Sequence, residues 1–475
     1  MTPDLSQLLA YPTPNIFLEY RQVNLAPTIF AEGLTDFTWT LPSGLSVNLA
    51  NGAIVGSPQE IVDWTDYSVT ATAFGHAVSA PVKIRTGLGY QVNDPGDQGG
   101  SCDTDTNVCT LRAALEESNA IGDSQTRLIL VPAGTYPVTQ ATLSIATNVE
   151  ILGDGQTTTI IDASGSPHGL FVVSKGPGLS TQKVIFSDLT MQNGSTSQSG
   201  GNLDIFSGSD VSLSRVTVTG GVSNLIDGGG GIATGGNLTL DFCTVSMNSH
   251  DGIVSTDASA VVVRDSLISG NNSGSSGGGI HCAGASLDVE RSLIAGNQAN
   301  NQGGGLFIGC GATITNTTIS GNMTAQGGAA YVAVGSLDLL NDTIVDNNGG
   351  AGDTGGIDAS PSTTVTLQST ILARNFAGTM GSNCNTALSS RGDNLTNGAC
   401  SECALSSSTG DICGVDPGLA ALADNGGPTQ SYLPNAGGPA IDHAAGPLGG
   451  CPPVDQRGLP RPVGGGCDIG SVEVQ

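Results

Sequence analysis

Short runs in which every second residue is apolar recur through the middle of the chain: Leu238, Leu240 and Val245, then Val261, Val263 and Ile268, then Leu287, Val289 and Ile294. Alternation with period two is strand patterning and puts one apolar set on one side of each strand. Each run closes on an asparagine, at Asn248, Asn271, Asn297, Asn322, Asn347 and Asn375, at steps of 23 to 28 residues. Glycine marks keep the same beat: GGGI at 229–232 and 277–280, GGGL at 303–306, GGAA at 327–330 and GGI at 355–357. A unit this short cannot bury its own apolar face, so the units must stack. The pattern predicts an all-β chain dominated by a right-handed parallel β-helix over residues 126–383, each coil rising roughly 4.8 Å above the last. Corner residues such as Asn316 and Asn341 are expected to form side-chain amide ladders.

Stacking in register turns equivalent positions into columns. One residue past the inward Ile or Leu that follows each glycine pair stand Ala233, Val254, His281, Phe307, Tyr331 and Asp358. Small aliphatics give way to rings and a carboxylate, a plausible outward platform for sugar rings. Phe307 is the ligand-binding ring, His281, Tyr331 and Asp358 are the candidates for proton transfer, and His250, Asp251 and Asp353 stand on flanking turns. Two reactions suit such a cleft. In β-elimination of a uronate polymer, Tyr331 or His281 moves the proton while a cation or Arg offsets the sugar carboxylate. In hydrolysis, Asp358 pairs with Asp353 or Asp251 as acid and base. A one-residue slip would turn the column inward and remove the site.

Composition sharpens this picture. Glycine, 71 of 475 residues, is about twice its usual share, and charged residues at 12% are about half theirs, as tight coils require. With 14 Lys and Arg against a net charge of -27, nucleic acid and anionic membranes are excluded as partners, while a cation is allowed. No apolar run is long enough for a transmembrane helix, and the start Met1-Thr-Pro-Asp lacks the signature of a secretory leader, which is expected to have been removed. Eleven cysteines point to an oxidising, exported setting. Ten are expected in disulfides: Cys102 and Cys109 bracket a loop, Cys282 and Cys310 fall on neighbouring coils two residues out of register, Cys451 and Cys467 close the tail, and Cys384, Cys400, Cys403 and Cys413 crowd one segment; the partners stay open. Cys243 fills the slot of Ser266, Ser292 and Thr317 and reads as a buried free thiol. Zinc at the Cys400 to Cys403 pair is the weaker alternative to disulfides.

Four segments follow. Residues 1–86, with the runs PTIFA, FTWTL, YSVTATAF and PVKIRT and the stretch LPSGLSVNLANGAIVGSP, resemble the immunoglobulin-like modules of bacterial surface proteins. Residues 87–125 contain CTLRAALEESNA, which resembles the CSLREA domain of exported bacterial proteins. Leu111, Ala114, Leu115 and Asn119 share one helical face there, so a short helix should cap the solenoid. The Asp103, Asp105 and Asn107 alternation echoes the start of a calcium loop, without its sixth-place Gly or twelfth-place Glu, so calcium stands beside a solvated acidic turn. LILVPAGTYPVT and NVEILGDGQTTTIIDASG resemble the first coils of pectin-lyase-like β-helices. Lyases of that shape often line the cleft with Lys and Arg, whereas here Arg264, Arg291 and Arg374 are the main cations and Arg291 aligns with Asp265 as a structural ion pair. The lyase reading therefore needs bound calcium. Residues 384–475, with DNGGPT, PAID, DQRG.PRP and CDIG, resemble the choice-of-anchor Q domain of exported β-helix proteins, with Asp442, Asp455, Arg457 and Asp468 as its buried polar network. The GGxI and xxN repeats also resemble those of polymorphic outer-membrane adhesins. The expectation is an exported or cell-surface protein that binds, and in one version cleaves, an extracellular polysaccharide or cell-surface glycan. The alternative is a non-enzymatic adhesin, display protein or spacer. The oligomeric state is left open.

Overall fold

A computed structural model describes residues 8–19, 21–102, 108–225, 228–350, 353–444 and 451–475. Parallel strands stack coil upon coil into a right-handed β-helix built on a bent 22-stranded sheet, a nine-stranded sheet and a six-stranded sheet of two-residue strands. The alternating apolar residues fill the interior: Leu238, Leu240, Val245 and Ile253 of one coil are at most 1% exposed, as are Val261, Val263, Ile268 and Ile280 of the next.

Two corners of each coil place a residue in the left-handed region. The first bends the long sheet at Asp188, Arg215, Phe242, Asp265, Arg291, Asn316 and Asn341. The second precedes the closing asparagine, at Met247, Gly270, Gly296, Gly321, Asp346 and Arg374. Behind these corners run two buried ladders. Asn248, Asn271, Asn297, Asn322 and Asn347 each donate from Nδ2 to the Oδ1 of the asparagine one coil on, at 2.9–3.0 Å. Backbone N–H groups of Cys243, Ser266, Ser292 and Thr317 donate to the next side-chain oxygen, from Ser266 to Asp342. Interior corners thus satisfy polar groups that burial would otherwise leave unpaired.

The amide ladder expected at Asn316 and Asn341 is not there. Their left-handed backbone turns both side chains outward, where Asn316 donates to Val454 O (2.9 Å) and accepts from Arg461 (3.0 Å), and Asn341 donates to Asp468 O. They anchor the C-terminal segment to the outside of the long sheet. That sheet also continues past residue 383, through Ser389–Ser390, Leu395–Thr396 and Ile412–Cys413. The closing segment lies alongside the coils: Tyr432, Ala440, Cys467 and Ile469 share a core with Val345, Ile371 and Leu395.

At the other end, α1 (Leu111–Ile121) starts at Thr110, whose hydroxyl accepts from the Ala113 N–H, and stops at left-handed Gly122. Its buried Leu111, Ala114 and Leu115 close the apolar interior against Ile129 and Leu143. The N-terminal residues form small, mostly antiparallel sheets, with Asn15–Leu18 pairing parallel to His76–Gly87, and have a core of their own, joined to the first coils by an Arg85 to Glu150 ion pair at 2.6 Å.

Candidate functional site

The nine-stranded sheet aligns Asp204, Ala233, Val254, His281, Phe307, Tyr331 and Asp358 on seven successive coils. Their chain neighbours Ile280, Cys282, Leu306, Ile308, Ala330 and Val332 are buried in the core, so strand alternation sends the column outward. The rings lie against one another: His281 and Phe307 have centroids 4.5 Å apart, and Phe307 and Tyr331 are offset-stacked at 5.9 Å with planes 16° apart. Each ring half-covers its neighbour, so the column is half-buried rather than free-standing. The glycine marks make this possible. Gly277 has φ +77, and a Cβ there would stand 2.6 Å from His281 Cβ.

Below the rings, His281 Nδ1 faces Asp251 Oδ2 at 3.4 Å, an ion-pair distance without hydrogen-bond alignment. Asp251 is fully buried, which pushes its carboxyl up, with the His281 contact pulling partly back. Its expected contact with a ligand is therefore corrected: solvent cannot reach it, and it can act only by orienting His281. His250 is half-buried on the same turn at φ +81, close enough to add to the field at Asp251.

Above the rings, Tyr331 Oη lies 3.3 Å from Ser360 Oγ. Asp358 is 6% exposed, and burial, with Asp353 in hydrogen-bonding contact, raises its pKa; an Asn385 hydrogen bond works the other way. Asp353 and Asp358 thus lie together at this end of the column. Asp251 and Asp358 stand far apart. The strand of Val254, beside Asp251, is four coils from Asp358, roughly 19 Å. The expected Asp251 and Asp358 pair therefore does not span one glycosidic bond.

Asp204 had no place in the sequence reading, although Gly200-Gly201 followed by inward Leu203 is the same mark one coil earlier. It lines a cleft of about 330 Å³ with Phe206, Ala233, Val254, Thr256 and Asp257, next to the His281 end of the stack. Burial there pushes its carboxyl up to about 6. Asp257, at φ +55, reaches the same cleft from its rim.

The ten expected cysteines are all bonded, and the open connectivity resolves as Cys102 to Cys109, Cys282 to Cys310, Cys384 to Cys403, Cys400 to Cys413 and Cys451 to Cys467. Cys282 to Cys310 ties the His281 coil to the Phe307 coil. Cys243 is a buried free thiol whose pKa burial pushes up to about 12. Arg291 pairs with Asp265 at 2.7 Å. Asp103, Asp105 and Asn107, the calcium candidates, lie outside the described residues. Among the described residues no group of three or more His, Cys, Asp or Glu is placed to hold a metal, and no helix is long and apolar enough to cross a membrane.

Fold and face together define a disulfide-braced right-handed β-helix with a ring-lined outer sheet. A family model described as a right handed beta helix region matches residues 147–308, the stretch that carries the column from Asp204 to Phe307. No curated protein matches the chain. Among solved structures, "Geobacillus virus E2 - ORF18" is 12% identical over 77% of this chain and 70% of that one, with a TM-score of 0.32, a likeness too slight to bear on function.

Proposed function

We propose that this protein binds an uncharged extracellular polysaccharide along the outer face of the nine-stranded sheet. The observation that carries the reading is the contiguous, half-buried stack of His281, Phe307 and Tyr331, next in register to the small-residue cleft at Ala233 and Val254. Offset rings leave part of each face for the CH groups of a sugar, and the flanking hydroxyls and carboxyls suit its hydroxyls.

The charge of the face selects the polymer. Asp204, Asp257, Asp353 and Asp358 stand on or beside the column in a chain of net charge -27, so a uronate polymer would meet repulsion. This favours a neutral glycan, and hydrolysis over β-elimination. For a hydrolytic step, Asp204 keeps its proton to about pH 6 and can protonate a leaving oxygen, with Asp257 across the cleft to activate water. The resemblances of residues 1–86, 87–125 and 384–475 to modules of exported proteins support an extracellular setting.

Neutral glucans, xylans and mannans, with uronate polymers as controls, should be screened by affinity electrophoresis and for new reducing ends. Retardation by a neutral polymer is expected, together with turnover that Asp204→Asn abolishes while the melting temperature holds. Binding without product from any polymer would replace the hydrolase by the adhesin. Retardation by uronates alone would contradict the charge argument.

A further inference from the structure

The long sheet has an outer face of its own, and two parts of the chain lie on it: the N-terminal module by the first coils, the closing segment by the later ones. Between them two cavities open, of about 500 Å³ and about 550 Å³, and Arg215 lines both. The first lies between Ile16 and Trp64 of the module and Leu130 and Leu152 of the coils. The second lies between Thr244 and Leu267 of the coils and the 427–430 stretch of the closing segment. From the coil of Leu130 to that of Leu267 the register counts five steps, so the trough is roughly 24 Å long.

The corner column forms its rim. Arg215 is held by both oxygens of Asp188 at 2.6 Å, and Arg291 by those of Asp265 at 2.9 and 2.7 Å, so the charges on either side of Phe242 are already neutralised within the rim. Phe242 stands between these pairs at φ +55 with half its surface in water. A bulky residue in the left-handed region is disfavoured, and an exposed one gains no core packing in return. Across the trough Trp64 is 39% exposed. Exposed rings, the two paired arginines, the carboxylates Asp154 and Asp424 as acceptors and the amides of Gln91 and Gln430 match a ligand made of CH faces and hydroxyls, at a junction between chain segments where ligand sites commonly form.

We propose that this trough is a second carbohydrate site, separate from the ring column, that takes an extended uncharged oligosaccharide with Trp64 and Phe242 as its stacking platforms. The chain has two tryptophans, so Trp39→Phe leaves Trp64 as the reporter. In that background, cello-, xylo- and mannohexaose are titrated while Trp64 emission is followed. At least one should shift the emission, with an affinity unchanged by Phe307→Ala and weakened at least tenfold by Phe242→Asn, a residue that the left-handed corner accepts without loss of fold. An unresponsive Trp64 with all three sugars, or a response that survives Phe242→Asn, overturns the second site. A response abolished by Phe307→Ala overturns its separateness, whereas failure of the ring column alone would appear as Phe307→Ala changing nothing on the polymer.

Discussion

The repeating coils and the closing segment, residues 415–475, are both built with little helix, yet they hold together by opposite means. In the coils the buried corners are satisfied from one coil to the next, as in the asparagine ladder from Asn248 to Asn375. In the closing segment each contact is made once. Arg461 and Glu473 face each other at 3.3 Å with both side chains fully buried, Gln456 reaches Ser292 O and Thr318, and Ser471 N–H donates to Thr343. Repetition spreads stability over many equal links, whereas the closing segment concentrates it in a few groups without substitutes.

The largest expected effect is therefore at Arg461. Arg461→Met leaves Glu473 buried and without its cation, which costs about 3–5 kcal/mol. The closing segment should come off before the coils, seen as a separate early transition in urea. A single cooperative transition at the wild-type midpoint would remove the contrast between the two regions. Next is Asn297→Ala in the middle of the ladder. It strips partners from Asn271, Asn322 and Ile268 O, at about 2–4 kcal/mol, and hydrogen exchange should rise on the adjoining coils only. The smallest effect is a pH dependence. Asp204 holds its proton to about 6 when folded against an ordinary 3.8, so the folded state binds more protons across that window and stability falls as pH rises through it. Asp204→Asn should flatten that part of the thermal-stability profile; an unaltered slope would show that the carboxyl is not desolvated.

The same contrast explains what could be read from sequence. A period of 23 to 28 residues fixes which side chains meet, so the coils, the outward column and the ion pair of Arg291 with Asp265 were legible without coordinates. Asn316 and Asn341 were misplaced because their partners, Val454, Arg461 and Asp468, are more than 120 residues away and belong to no repeat. The continuation of the long sheet to Cys413 was hidden for a related reason: past Asn375 the spacing between strands becomes irregular while pairing persists. Asp251 sits on a turn, where exposure is the ordinary expectation, yet it is fully buried with His281 of the next coil against it. Asp204 obeys the glycine rule, but its coil precedes the regular series, so the repeat alone does not mark it.

The account rests most heavily on the rings of the nine-stranded sheet touching a sugar. The direct measurement is calorimetric titration of the neutral polymer found by screening into the wild-type protein and into the Phe307→Ala, Tyr331→Ala double variant. Outward rings on a disulfide-tied sheet can be removed with the coils intact, so the melting temperature should stay within a few degrees while affinity drops at least tenfold, about 1.4 kcal/mol. Equal affinity in the two proteins, with both folded, would contradict it.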